Sequence, residues 1–215
     1  IHGINENGDT VAGYAAHYNR ADVVRAAVDL GADVNRLSST DGPMHPLFTA
    51  LFDGHTSVVR VLAELGADLN STFCESASPV FIATQLGNVD AIRALVKYGA
   101  NVNTPDADGT TPLYIAAEDG RAGAIDTLVK YGANVNTVRN GTTAVFIATQ
   151  EGHIDAIKVL CKHGADVNTP DVNGVTPMLV ATYKKRIDVI RTLVEYGAQV
   201  NETDKNGVTP LVVAS

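Results

Sequence analysis

The chain has 215 residues, a formal net charge of −8 and two cysteines. The negative charge argues against nucleic acid as the main partner, because binding to a phosphate backbone depends on excess Lys and Arg. No apolar run approaches the roughly 18 residues that a membrane-spanning helix needs, and no segment resembles a signal peptide, so we expect neither membrane insertion nor secretion. Two cysteines do not form a disulfide framework, which favours a reducing compartment, the cytoplasm or the nucleus.

A Gly-Ala pair recurs along the chain at a nearly constant interval. Its glycines are Gly31, Gly66, Gly99, Gly132, Gly164 and Gly197, which lie 32 to 35 residues apart. A fixed period of this length indicates an array of repeats in one domain, residues 1–215, rather than a separate globular core. We predict six repeats and a partial seventh, with approximate bounds 5–35, 39–70, 73–103, 106–136, 138–168, 171–201 and 204–215.

Each repeat has the pattern of a turn, a short helix, a glycine break and a second helix. Thr111, Thr176 and Thr209 each precede a proline, which is the arrangement of a helix N-cap followed by the first helical residue. Gly109 and its equivalents fall in a tight turn where a positive φ is expected, and the glycine of each Gly-Ala pair is expected to end the second helix. Five of the eight prolines occupy the first-helix slot: Pro46, Pro79, Pro112, Pro177 and Pro210.

The second helix of each repeat carries one apolar stripe. In repeat 3 its positions are Val89, Ile92, Leu95 and Val96, a spacing of i, i+3, i+6 and i+7 that lies on one helical face. One helix pair cannot bury such a stripe alone, so we expect neighbouring repeats to stack on it. The later stripes are Ala122, Ile125, Leu128 and Val129, then Ile154, Ile157, Leu160 and Cys161, then Ile187, Ile190, Leu193 and Val194.

Repeat 4 carries the residues that point to a known family. They are Asp106, Gly109, Thr111, Pro112, Leu113, Ala116, Ala117, Gly120 and the closing residues Gly132, Ala133, Asn134, Val135 and Asn136. Together they resemble the ankyrin repeat, and the resemblance covers essentially the whole chain, with close matches in the repeats that end at Asn168 and Asn201. It implies an all-α solenoid of stacked helix-turn-helix units joined by β-hairpin fingers.

Some positions depart from the ankyrin pattern. Repeat 1 has Val11 in place of Pro and Asn19 in place of the mid-repeat Gly, so we expect it to be a capping repeat. The finger of repeat 2, residues 38–45, is longer, and that of repeat 3, residues 73–76, lacks the turn Gly. The family's T-P-L-H histidine is replaced by Phe48, Phe81, Tyr114, Phe146 and Leu179, which we expect to fill its space by packing.

No arrangement of residues predicts catalysis, a cofactor or a metal site. The six histidines lack metal-ligand spacing, and no phosphate-binding glycine motif is present. Cys161 is close to His163 but falls on the apolar stripe, which favours a core thiol over a nucleophile. Glu118 and Asp119 are adjacent, and adjacent helical side chains diverge, so we expect a solvated helix end. We therefore predict that the chain is not an enzyme and binds no cofactor.

The resemblance implies a protein partner, which ankyrin arrays usually bind through the finger tips and the inner face of the first helices. The candidate residues are taken from the two positions before the mid-repeat Gly, which are His17 and Tyr18 in repeat 1, and from two fingers. They are Tyr18, Phe52, Asp53, Gln85, Leu86, Glu118, Asp119, Gln150, Glu151, Tyr183 and Lys184, with Met44 and Phe73 on the irregular fingers. Phe52 and Leu86 flanked by Met44 and Phe73 predict an apolar hot spot, and the carboxylates predict an acidic strip. We expect a monomer that binds a protein segment with an apolar anchor and Lys or Arg nearby.

Two other functions stay open from the sequence. The array could be an architectural spacer or spring, or the targeting arm of a larger enzyme whose catalytic domain lies outside these residues. The basic residues 184–186 could be a contact patch, part of a nuclear import signal or a solvated turn. The resemblance also implies asparaginyl hydroxylation at Asn103, Asn136 and Asn168.

Overall fold

The computed structural model describes residues 10–37, 45–73 and 77–214. The chain divides into two compact units, residues 1–108 and 109–215. Within the described ranges, thirteen helices and one two-stranded hairpin form. None of these helices is long and apolar enough to cross a membrane. The single domain of residues 1–215 stays a prediction.

The N-terminal unit contains three helix pairs in its described part. The first helices are Val11–His17 (α1), Pro46–Phe52 (α3) and Pro79–Gln85 (α5), and the second helices are Ala21–Asp29 (α2), Thr56–Glu64 (α4) and Val89–Lys97 (α6). Helix α3 packs between α1 and α5, and α4 packs between α2 and α6. The first helices therefore form one layer of the unit and the second helices form the other.

The C-terminal unit repeats this arrangement. Its elements are Pro112–Glu118 (α7), Ala122–Lys130 (α8), Val138–Arg139 (β1), Thr142–Thr143 (β2), Ala144–Glu151 (α9), Ile154–Lys162 (α10), Pro177–Tyr183 (α11), Ile187–Glu195 (α12) and Pro210–Ala214 (α13). Helix α9 packs between α7 and α11, and α10 packs between α8 and α12. The predicted all-α architecture of stacked helix pairs is confirmed.

A β-ladder forms in one finger of the described residues. Strands β1 and β2 are antiparallel, with Val138 opposite Thr143 and Arg139 opposite Thr142. In the next finger the Asp171 carboxylate accepts hydrogen bonds from the backbone N–H of residues 173 and 175, both at 2.8 Å. Because the side chain satisfies donors that a ladder would use, that finger closes as a turn rather than as a pair of strands.

The predicted helix starts are confirmed. Thr111 Oγ1 accepts a hydrogen bond from the Tyr114 N–H at 3.2 Å, and Thr176 Oγ1 accepts one from the Leu179 N–H at 3.3 Å. Thr209 caps α13 in the same way through the Val212 N–H. Each of these threonines satisfies one orphan donor of a helix N-terminus, so the Thr-Pro dipeptides set where the first helices begin.

The mid-repeat position adopts a left-handed backbone. In the C-terminal unit it is Gly120 (φ 70°), Gly152 (φ 83°) and Lys185 (φ 55°). Glycine adopts this conformation without steric conflict, whereas a residue with a Cβ is disfavoured by about 1 kcal/mol or more. Lys185 therefore carries backbone strain that the two glycines do not.

The core lies between the two helix layers of each unit. In α6 the fully buried residues are Ala91, Ile92 and Leu95, whereas Val89 and Val96 are half-buried. The buried face of α6 is therefore rotated slightly from the predicted stripe. Ala91 belongs to the buried face, and Val89 and Val96 lie at its edges. In α12 the edge positions Ile187 and Val194 are 57% and 49% exposed, since no further second helix covers them among the described residues.

The first helices are buried along most of their length. The positions that replace the T-P-L-H histidine, namely Phe48, Phe81, Tyr114, Phe146 and Leu179, are all buried. The prediction that these side chains fill the space by packing is confirmed. These bulky side chains add buried apolar area from the first helices to the area that the second helices contribute to the core.

The asparagine that ends a repeat connects it to the next one. Asn136 Oδ1 accepts a hydrogen bond from the Asp166 N–H at 3.0 Å, and its Nδ2 donates to the Gly164 carbonyl at 3.3 Å. Asn168 makes the equivalent pair of bonds to residues 199 and 197. These side-chain amides therefore fix the spacing of successive repeats in the C-terminal unit. Hydroxylation at Asn103, Asn136 and Asn168 stays a prediction.

Candidate functional site

An exposed aromatic ring marks the surface of the N-terminal unit. Phe52, the last residue of α3, is 44% exposed. Its ring centroid lies 5.1 Å from that of the half-buried Phe73 in an edge-on contact, and Phe73 lies 5.5 Å from the buried Phe48. The three rings form a column from the core to the surface, so the Phe52 ring is held in place before any partner binds. The sequence predicted that Phe52 and Phe73 lie together, and the two rings are in contact in the structure.

The next first helix presents a second apolar side chain. Leu86 is the C-cap of α5 and is 46% exposed, and Gln85 beside it is also exposed. Helix α5 packs directly on α3, whose last residue is Phe52. Met44, the remaining member of the predicted hot spot, lies outside the described residues.

A pair of tyrosines lies on α1, Tyr14 in the middle of the helix and Tyr18 at its C-cap. Tyr14 and Tyr18 are both exposed, and their ring centroids are 4.5 Å apart. The repeat pattern predicted Tyr18 but not Tyr14, because Tyr14 lies outside the two positions before the mid-repeat residue. The spacing of i and i+4 between the two tyrosines was the signal that could have found it, since such residues are neighbours on a helix.

The predicted acidic residues differ in whether their carboxylates already have a partner within the chain. Asp53 Oδ2 lies 2.8 Å from His17 Nδ1, and Asp119 Oδ2 accepts a hydrogen bond from Arg121 Nε at 3.3 Å. In contrast, the half-buried Glu118 side chain has no partner among the described residues. Asp53 and Asp119 therefore each have a neighbouring positive or protonatable group, which the repeat pattern did not predict.

The remaining candidate positions lie at the ends of α9 and α11. Gln150 donates from Nε2 to Glu151 Oε1 at 3.1 Å, and Glu151 is exposed. Tyr183 and Lys184 are both exposed at the end of α11. The described candidates other than Phe73 therefore reach the surface at least in part at the equivalent end of the first helix of each pair, and the half-buried Phe73 lies on a finger.

Side chains from the following helix pair hold these helix ends in position. Arg186 Nη1 donates to the Glu151 carbonyl at 2.6 Å, and His153 Nε2 lies 2.9 Å from the Glu118 carbonyl. In the N-terminal unit, His55 Nε2 contacts the His17 carbonyl at 2.9 Å. The candidate surface of each unit is therefore fixed by hydrogen bonds that cross from one pair to the next.

Two possible kinds of reactive site among the described residues are a metal site and a reactive thiol. No group of three or more His, Cys, Asp or Glu side chains within them is placed to hold a metal ion. Cys161 is half-buried, and burial raises the pKa of its thiol to about 11. At neutral pH the group is therefore the thiol and not the nucleophilic thiolate.

Comparison with known proteins identifies the family. The family model for ankyrin repeats matches residues 1–73, 71–139 and 135–204. The chain belongs to the ankyrin repeat family. Ankyrin repeats in general serve as protein–protein interaction modules.

Two solved ankyrin domains resemble this fold. The crystal structure of the human ASB11 ankyrin repeat domain has a TM-score of 0.78 and 23% identity, covering 96% of this chain and 92% of that chain. The ankyrin repeat domain of Bcl-3, a member of the IkappaB protein family, has a TM-score of 0.87 and 24% identity, covering 98% of this chain and 96% of that chain. At these identities the similarity concerns the fold alone. A search of curated proteins gives no match.

Proposed function

We propose that this ankyrin domain is a non-catalytic, monomeric interaction module that binds a segment of another protein through an apolar anchor. The observation that carries the proposal is the exposed Phe52 ring, held by Phe73 and Phe48. Covering the exposed part of a Phe side chain contributes about 1 kcal/mol, and a ring that is already held loses little conformational freedom on binding. Leu86 on the adjacent helix adds a second apolar contact.

Charge is proposed to select among partner segments. In the C-terminal unit, Glu118 and Glu151 are the candidate acceptors for a Lys or Arg of the partner, and Gln150, Tyr183 and Lys184 add polar contacts. Asp53 and Asp119 contribute less, because each already has a partner within the chain. Rim charges of this kind mainly change specificity and the association rate, so we expect the apolar anchor to supply most of the affinity.

The test is affinity capture from a lysate of the source organism, read by mass spectrometry. We expect wild type to retain a protein that the Phe52→Ala, Leu86→Ala double variant loses, because truncation removes the anchor site. A matched control is the Leu30→Ala, Tyr98→Ala double variant, which shortens exposed apolar side chains at the ends of α2 and α6 in the other helix layer. Far-ultraviolet circular dichroism checks that all variants keep their helices.

Two outcomes would count against the proposal. Equal retention by wild type and the Phe52→Ala, Leu86→Ala variant would remove the anchor site from this surface. Failure of wild type to retain any protein would favour the spacer or the targeting arm over an interaction module.

A further inference from the structure

The finger of residues 138–143 is tied to helix α7 by a closed set of contacts. Tyr114 Oη lies 2.9 Å from Thr142 Oγ1, and that hydroxyl donates to the Arg139 carbonyl at 3.0 Å. Since the Thr142 proton is used in the second bond, the Tyr114 hydroxyl donates in the first. Tyr114 thus links a buried helix position to both strands of the finger, and it holds the hairpin in one orientation.

The same tyrosine also holds the Arg139 side chain. The guanidinium carbon lies 5.2 Å from the centroid of the Tyr114 ring, within the range of a cation–π contact. The guanidinium has no hydrogen-bond acceptor among the described residues, and its Nε atom is buried without a partner. Leaving a buried donor without a hydrogen bond is unfavourable, so the Arg139 guanidinium lacks an acceptor within the described part of the chain.

Two other cations of the C-terminal unit, Lys130 and Arg121, are paired with carboxylates. Lys130 Nζ donates to Asp126 Oδ2 at 2.7 Å, and Arg121 Nε donates to Asp119 Oδ2 at 3.3 Å. The carboxylate of the next finger, Asp171, accepts two backbone N–H groups of its own turn. No carboxylate among the described residues forms an ion pair with Arg139, and the residue is half-exposed and open to a partner.

Apolar surface flanks the finger. Val172 on the next finger is exposed, and its Cγ1 would clash with a Cβ at Gly141, so the two fingers are in close contact. An apolar neighbour displaces water, and hydrogen bonds and charge pairs strengthen where water is displaced. The finger therefore combines a fixed cation with a nearby surface that a partner side chain can cover.

We propose that Arg139 is a specificity-determining residue that binds the carboxylate of an Asp or Glu side chain in the partner segment. The inference rests on the proposed function and adds a second subsite to it, in the C-terminal unit. A guanidinium presents a planar fork of N–H donors that matches a carboxylate, and Lys cannot reproduce that geometry. Because Tyr114 already orients Arg139, little side-chain freedom is lost on binding.

The experiment selects binding peptides from a random displayed library with the complete 215-residue chain. We expect the selected peptides to be enriched in Asp or Glu, and the Arg139→Gln variant to bind them about tenfold more weakly. Arg139→Lys should also bind more weakly, because it keeps the charge but loses the fork. The matched control is Arg191→Gln, which removes the same charge from an exposed site on α12 and should leave affinity unchanged.

A double-mutant cycle tests whether the loss of affinity comes from the contact between Arg139 and the acidic residue of the peptide. Replacing the selected acidic residue of a peptide by Asn or Gln should weaken binding to wild type about tenfold, but should cause little further loss with Arg139→Gln. The Tyr114→Phe variant keeps the ring and removes the hydroxyl, so it should weaken the same peptides to a smaller degree. Thermal unfolding of each variant shows that the fold is retained.

The outcomes separate the two proposals. Equal affinity of wild type and Arg139→Gln for the selected peptides, or independent effects in the cycle, would overturn the Arg139 subsite and leave the apolar anchor standing. Loss of affinity in the Phe52→Ala, Leu86→Ala variant alone would overturn the subsite in the same way. If wild type bound no peptide, both the subsite and the interaction module would be overturned.

Discussion

At the residue scale, Lys185 has a strained left-handed backbone at a position where most other repeats have glycine. It has φ 55° at the mid-repeat position, whereas Gly120 and Gly152 occupy the equivalent positions of the same unit. The Lys185→Gly substitution relieves the left-handed strain and should raise the free energy of unfolding by about 1 kcal/mol. Urea denaturation measures this as a higher midpoint at an unchanged slope.

The neighbouring lysine provides the matched control. Lys184 is the C-cap of α11 with φ −81°, a conformation that any residue adopts. Lys184→Gly therefore only adds freedom to the unfolded chain, and we expect it to lower stability by about 0.5–1 kcal/mol. The two substitutions remove the same charge and differ in backbone conformation. If Lys185→Gly lowered stability as Lys184→Gly does, strain at position 185 would not be the reason.

At the scale of elements, Asp126 connects two second helices. Its carboxylate accepts a hydrogen bond from Lys130 on the same helix α8 at 2.7 Å, and it lies 3.0 Å from His163 Nε2 at the end of α10. The hydrogen bond from Lys130, followed by that from His163, lowers the pKa of Asp126. A lowered pKa in the folded state stabilises the fold at pH values above the ordinary Asp pKa, and this contribution is lost as the pH falls through the folded value.

The Asp126→Asn substitution tests this linkage. The carboxylate is about one-third exposed, so solvent screening limits the effect at neutral pH to about 0.2–1 kcal/mol. We expect Asp126→Asn to be less stable than wild type at pH 7 and equally stable below the folded pKa of Asp126. Glu195→Gln, at the exposed end of α12, is the control for loss of one negative charge. A stability difference for Asp126→Asn that did not change with pH would point to packing rather than charge.

At the scale of the whole molecule, features with short-range causes were predictable from the sequence. Thr111 caps α7 through a residue three positions away, and the fold of each repeat follows from such local signals. The contacts that shape the candidate site span much longer distances along the chain. The Tyr114–Thr142 bond joins residues 28 apart, and the His17–Asp53 pair joins residues 36 apart. No periodic pattern encodes these partners, because each depends on one non-consensus residue in a neighbouring repeat.

The stacking of helix pairs also predicts where a core substitution matters most. Leu160 in α10 and Leu193 in α12 are both fully buried at equivalent positions. Helix α10 is packed between α8 and α12, whereas the edge residues Ile187 and Val194 of α12 are exposed. Truncating Leu160 therefore leaves a cavity enclosed on both sides, while the surroundings of Leu193 have more room to collapse into the space.

We expect Leu160→Ala to lower the free energy of unfolding by about 3–5 kcal/mol and Leu193→Ala by about 2–3 kcal/mol, because the loss grows with the cavity that remains. Urea denaturation of the complete chain measures both, and hydrogen exchange locates the affected helices. In a stack stabilised by nearest neighbours, Leu160→Ala should loosen α8 and α12 as well as α10, whereas Leu193→Ala should loosen α12 and its neighbour α10. Equal losses for the two substitutions, with exchange confined to the substituted helix, would mean that each helix pair is stable by itself.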